Sequence, residues 1–145
     1  MYNINRTALV AYSAEKMFNL VNGVDDYKNF LPWCGDSKII EESEDASVAS
    51  VTIAFKGVHK TFTTANELTR HSQIKLAMVD GPFSKLEGIW TFKELDDNAC
   101  KLSLDLDFDF SNRLVGAVIG PVFKIIANSM IDSFIKRAEV LYGSD

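Results

Sequence analysis

The chain has 145 residues, of which 47% are hydrophobic and 24% charged, and its 15 Lys and Arg against 20 Asp and Glu give a net charge of −5. That size fits one domain, residues 1–145, whose core needs neither disulfide nor metal, and the composition excludes disorder, collagen and a disulfide scaffold. The negative balance excludes a global positive field, so no DNA partner is expected and an RNA contact requires a local basic patch.

In chain order, residues 2–11 alternate loosely, with Tyr2, Ile4, Ala8 and Val10 on one side, and predict a strand. Ser13 is a natural N-cap for a helix whose face is Met17, Leu20, Val21 and Val24, with Gly23 placed to close it. The aromatic stretch at 25–35 predicts a short helical turn broken at Pro32. From residue 37 to 110 the period changes to two. Ile39 and Ile40 mark one strand and Val51, Ile53 and Phe55 the next, with an acidic turn at 41–45 between them. Strands follow at 61–68, 74–79 and 86–95, the last after a break at Gly81-Pro82 and before a turn at Asp96-Asp97-Asn98. The clearest strand puts Cys100, Leu102, Leu104, Leu106, Phe108 and Phe110 on one face and Ser103, Asp105, Asp107 and Asp109 on the other. A sheet with one apolar and one wetted face is antiparallel.

Residues 113–142 return to a helical period. Ile119, Phe123, Ile126, Met130, Phe134, Ala138 and Leu141 form one stripe, and Lys124, Asn128, Asp132 and Lys136 another. Pro121 either starts this helix or kinks it. The expected fold is α+β: six or seven antiparallel strands wrapped around a long C-terminal helix, with an apolar cavity between them. The apolar run at 114–131 is interrupted by Gly116, Gly120, Pro121, Lys124 and Asn128, so it reads as a buried helix and a poor membrane span. Cys34 and Cys100 lack metal or redox spacing and fit a reducing compartment, and no secretory signal opens the chain. The expectation is a soluble cytoplasmic protein, at most peripheral at an inner membrane.

Few residues carry catalytic signals. His59 and His71 have no second ligand at metal spacing, and neither a nucleophile motif nor a phosphate-cradling loop is present. No catalytic residue and no metal is therefore assigned. The carboxylates of Asp105, Asp107 and Asp109 belong to a solvated face. Phe30-Leu31-Pro32-Trp33-Cys34 is either the lip of a cavity or an aromatic plug, and Asp80-Gly81-Pro82-Phe83 is either a gating loop or a plain turn. Trp33 and Phe83, each following a proline, are expected at a cavity mouth able to touch a membrane transiently. Trp90 and Phe92 share a sheet face, lining the cavity or filling it. Phe123, Ile126 and Met130 face it from the helix, and Ser129 and Ser133 are candidate hydroxyl partners for a ligand head group.

The order of elements resembles the START-like, helix-grip superfamily of polyketide cyclases and lipid carriers. The carrying residues are Arg6-Thr7-Ala8-Leu9-Val10 with Tyr12-Ser13-Ala14-Glu15, Tyr27-x-x-Phe30-Leu31-Pro32-x-Cys34, Lys60-Thr61-Phe62-Thr63-Thr64, Asp80-Gly81-Pro82-Phe83-x-x-Leu86 with Trp90-x-Phe92, and Phe123-x(6)-Met130-x(3)-Phe134-x-x-Arg137-Ala138. The closer match is the coenzyme Q-binding branch, which includes the bacterial ribosome-association toxins. The resemblance implies two functions. The first is non-enzymatic binding of ubiquinone or another isoprenoid lipid in support of respiration, with no cofactor required. Its site would be Pro32, Trp33, Phe83, Trp90, Phe92, Phe123, Ile126 and Met130. The alternative is a toxin that binds the large ribosomal subunit and blocks subunit joining; Lys124, Lys136 and Arg137 of the C-terminal helix are either the basic patch this requires or an ordinary solvated helix face. A cyclase is disfavoured because no acid–base pair is evident.

Overall fold

The computed structural model of the protein describes residues 2–143. The chain opens with β1 (Tyr2–Val10), whose Ile4, Ala8 and Val10 pack inward as the alternation predicts. Arg6 lies on the same face and its guanidinium donates to the Asn128 carbonyl at 2.9 Å, tying the strand to the distant C-terminal helix. Ser13 caps α1 (Ala14–Asn22), its Oγ accepting the Lys16 N–H at 3.1 Å. Val24 does not continue that helix. The Gly23 N–H bonds the Leu20 carbonyl three residues back, which tightens the last turn, and Val24 opens a separate 3-10 helix (Val24–Asn29). It ends ahead of Pro32, as the sequence predicts.

Six strands follow: β2 (Cys34–Glu42), β3 (Ala46–Phe55), β4 (Val58–Thr69), β5 (Gln73–Asp80), β6 (Phe83–Asp96) and β7 (Ala99–Phe110). With β1 they form one sheet in the order β1-β7-β6-β5-β4-β3-β2, antiparallel at every step. The first strand thus occupies one edge. The two helical segments carry the chain to the other, and a meander brings it back until β7 pairs with β1. The structure has the larger of the expected strand numbers. Phe83 belongs to β6 rather than to a loop, because the turn before it is as tight as a chain allows. Gly81 has φ 152°, and a Cβ there would stand 2.7 Å from the Phe62 Cβ.

Asn112 caps α2 (Arg113–Tyr142), accepting the Val115 N–H at 2.9 Å. The helix runs through Pro121 without ending. Ile119, Phe123, Ile126, Phe134 and Ala138 are buried against the sheet as expected, but Met130 is half-buried and Leu141 is 48% exposed. Over the second half of α2 the buried face rotates to Ala127, Ile131, Phe134 and Ala138, following the twist of the sheet beneath it. The Gly116 and Gly120 spacing serves this packing, since a Cβ on Gly116 would lie 3.3 Å from the Phe110 ring. By length and composition alone α2 is apolar enough to cross a membrane, with a mean hydropathy of 1.8, a test that the core helix of a soluble protein also passes. Leu114, Val118 and Ile125 face outward from its first half.

Candidate functional site

Between the inner face of the sheet and α2 lies a cavity of about 100 Å³. The sheet contributes Trp90 of β6 and Leu104 and Leu106 of β7, α2 contributes Phe123, Ile126 and Met130, and Tyr27 and Trp33 close the side next to the 3-10 helix. Inward alternation places the strand residues here, and the i, i+3, i+7 spacing of Phe123, Ile126 and Met130 places the helix residues opposite. Five of the eight residues predicted from sequence are therefore brought together: Trp33, Trp90, Phe123, Ile126 and Met130.

Three are not. Pro32 is exposed and does not line the cavity. Phe83 is only 3% exposed and sits in an aromatic cluster, 4.8 Å from Phe123 and 5.3 Å from Phe110 between ring centroids, so it buttresses the wall from behind. Phe92 is fully buried, packed edge-on to Phe18 at 5.4 Å behind Trp90. The cavity-mouth reading of Trp33 and Phe83 is likewise corrected. Trp33 is 4% exposed and lines the interior, so neither ring presents a surface to a membrane. The proline before each residue marks a break in secondary structure, but the chain on its far side turns back into the core.

Sequence reasoning missed Thr64 and Asn66, which reach the cavity from β4. Their signal was alternation with Leu68, which is buried on the same face. Thr64 Oγ1 donates to Asn66 Oδ1 at 3.0 Å, and Asn66 Nδ2 donates to Ser47 Oγ at 3.0 Å. Tyr27 donates its hydroxyl to the Val21 carbonyl, and burial holds its phenol far above the ordinary range. Trp33 Nε1 is buried and has no hydrogen-bond partner among the described residues. Ser129 and Ser133 do not line the cavity, and the Ser129 hydroxyl donates to the Ile126 carbonyl within its own helix. Among the described residues, the lining holds no carboxylate, histidine or cation. Such a wall suits a neutral apolar molecule and offers no acid–base pair at ordinary pH.

The outer face of the sheet is different in kind. A broad open groove of about 780 Å³ is bordered by Glu41, Glu42, Glu67, Glu87, Asp105 and Asp107, with Lys75 among them. Asn3 donates to both Asp105 and Asp107, at 2.8 and 2.7 Å. This face repels nucleic-acid phosphates. Of the three residues of the basic patch expected on the C-terminal helix, Lys124 and Lys136 are exposed and Arg137 is drawn into the fold. Arg137 is half-buried, pairs with Asp26 at 3.1 Å and covers the Phe30 ring, while Lys124 stands over the Tyr2 ring at 4.5 Å. Periodicity alone could not reveal that Asp26, far away in sequence, packs against Arg137. Two further exposed lysines, Lys56 and Lys60, lie at the end of the sheet where β3 joins β4, in a stretch without a carboxylate from Ile53 to Asn66.

The family described as polyketide cyclase / dehydrase and lipid transport matches residues 10–135. The ribosome association toxin RatA of Pseudomonas aeruginosa is 45% identical over 141 residues, covering 97% of this chain and 98% of that protein. The mitochondrial coenzyme Q-binding protein COQ10 homolog B of Xenopus laevis is 25% identical over 143 residues, and the match spans 59% of its length. In fold, the chain is similar to the Zhui aromatase/cyclase of Streptomyces, with a TM-score of 0.83 and 17% identity over 99% of this chain and 98% of that one.

Proposed function

The chain belongs to the polyketide cyclase / dehydrase and lipid transport family, and from this premise we propose that it is a non-enzymatic, cytoplasmic ribosome-association toxin that binds the large ribosomal subunit and blocks subunit joining. The observation that carries this reading is the match to a relative named a ribosome association toxin, 45% identical and nearly end to end in both chains. It reverses the order in which the resemblance alone placed the two functions. Ubiquinone binding in support of respiration draws on a relative only 25% identical.

The tip of the β3–β4 hairpin is the contact surface this reading favours. Lys56 and Gly57 both have positive φ, 50° and 83°, giving a tight two-residue turn that carries Lys56 at the tip of the hairpin, with Lys60 exposed on β4 behind it. A small cationic prong on an acidic protein reaches RNA while the carboxylate-lined face stays turned away. The test is sedimentation of purified protein with separated ribosomal subunits under conditions in which they join. The expected result is co-migration with the large subunit and a reduced joined-particle peak. Protein that stays at the top of the gradient while the subunits join normally would overturn the proposal.

A second reading, uptake of a hydrophobic small molecule, is favoured by the neutral cavity beneath α2. Its volume of about 100 Å³ is below the ~300–1,000 Å³ of drug-sized sites, so it suits a ring rather than an isoprenoid tail.

A further inference from the structure

The first half of α2 exposes an apolar stripe that the fold leaves uncovered. Leu114 is 74% exposed, Val118 58% and Ile125 49%, with Ala117 and Pro121 exposed between them. Leu114, Val118, Pro121 and Ile125 stand at i, i+4, i+7 and i+11, so they share one side of the helix, opposite the Ile119, Phe123 and Ile126 side that meets the sheet. The stripe runs for about 17 Å along the helix axis. Apolar residues scattered singly over a surface need no explanation, but a continuous stripe does. Beyond it the same side of α2 turns polar, through the exposed Asn128, Asp132, Lys136 and Glu139.

Charge of one sign borders the stripe. Arg113 and Lys124 are exposed along one edge of it, and the chain has no carboxylate between Asp109 and Asp132. Lys124 stands 4.5 Å over the Tyr2 ring, which places a partly exposed aromatic beside the same edge. Two carboxylates flank the helix start, Asp109 at the end of β7 and Asp80 at the end of β5, where the Ser111 hydroxyl ties the next turn to the helix by donating to the Pro82 carbonyl at 3.0 Å. The larger acidic groove lies on the outer face of the sheet, and both the sheet and α2 stand between it and the stripe. That separation exceeds the ~10 Å diameter of a helix and therefore the screening length of ~8 Å at physiological salt. An apolar stripe edged by cations fits a layer that is apolar beneath and phosphate-bearing above. Duplex RNA offers phosphates without an apolar layer to receive Leu114. A second copy would set cation against cation in either orientation, Arg113 facing Lys124 when antiparallel and its own counterpart when parallel. We propose that the first half of α2 is a docking surface for a bilayer rich in anionic phospholipid, with Leu114, Val118 and Ile125 immersed at the interface and Arg113 and Lys124 on the headgroup phosphates. The proposal is independent of ribosome association and of what the inner cavity holds.

The experiment is flotation of the full chain with vesicles of phosphatidylcholine alone and of phosphatidylcholine with an equal share of phosphatidylglycerol. The expected result is partitioning onto the anionic vesicles at least about tenfold stronger than onto the neutral ones, and weaker as salt rises. Leu114→Ser with Val118→Ser should reduce that partitioning at least about tenfold, and both side chains are exposed, so the fold does not depend on them. Arg113→Gln should reduce it about fivefold. Leu9→Ser removes an equally exposed leucine from the outer face of β1 and should leave it within about twofold of the native chain. Absence of binding to anionic vesicles, or equal binding to both kinds, would overturn the proposal. So would loss of binding in Leu9→Ser equal to that in the double variant, since contact would then not be confined to α2. A concentration-dependent dimer in sedimentation equilibrium that the double variant abolishes, without vesicle binding, would overturn it in favour of a second copy. The comparison of the two vesicle compositions in the native chain stands whatever the variants do.

Discussion

Burial of single side chains gives this protein a pH dependence on the alkaline side. Cys100 has no exposed surface in β7, and burial pushes its thiol up to about 11 from an ordinary 9.0. Cys34 moves in the same direction, again chiefly through burial. A raised folded pKa means that the folded state holds its proton more tightly than the unfolded chain. The resulting stability is complete below pH 9.0 and is lost as pH rises through about 11. Thermal stability should therefore fall across that window, with a slope of at most about 1.4 kcal/mol per pH unit for each thiol. Cys100→Ala should cost about 1 kcal/mol at neutral pH through lost packing and flatten the alkaline slope. Calorimetric melting at stepped pH measures both effects. Parallel slopes in the two proteins would transfer the dependence to Tyr27 and Tyr142, whose phenols burial also raises.

Among the elements, α2 shows how capping and packing divide the control of a helix. Asn112 supplies an acceptor to an orphan N–H of the first turn, so Asn112→Ala should lower stability by about 1 kcal/mol. Pro121 acts in the opposite sense. It has no N–H to give to the Ala117 carbonyl, and both residues are exposed, so replacing it sacrifices little burial. Pro121→Ala should raise stability by up to about 3 kcal/mol. Urea unfolding with an unchanged m-value checks the pair, and a less stable Pro121→Ala protein would show that the proline seats α2 on Phe110. Element legibility followed the strength of periodicity. β7 was plain because six alternating apolar residues have no rival pattern. The start of β6 was hidden by Gly81-Pro82, because the tight approach to Phe62 that ends the turn so abruptly is a contact between strands.

Over the whole molecule, charge is distributed against a broad RNA contact, so the proposed ribosome association would have to use a small local surface. Lys56→Gln with Lys60→Gln should weaken sedimentation with the large subunit at least about tenfold and reduce the slope of log affinity against log salt by about 1–2. Arg137→Gln should leave that binding unchanged while costing about 1 kcal/mol of stability, because its partner Asp26 and the Phe30 ring are both within the fold. Loss of binding in Arg137→Gln alone, measured with a protein that remains folded, would return the contact to α2.

The alternation of residues 100–110, the helical period of 113–142 and the Ser13 cap determined the α+β grip of sheet on helix, because each is a local property that packing reinforced. Burial of Phe123, Ile126 and Trp90 was legible for the same reason: a residue on the apolar face of its own element has one side on which to be buried. Only the tertiary structure decided the rest. Whether an aromatic residue lines a cavity or stands behind its wall depends on what the opposing element brings. Thus Trp33 turned inward, Phe83 joined Phe123 and Phe110, and Arg137 found Asp26. The physical reason is range. Periodicity encodes which face of an element is apolar, whereas cavities, ion pairs and unpaired donors arise where two faces distant in sequence meet imperfectly.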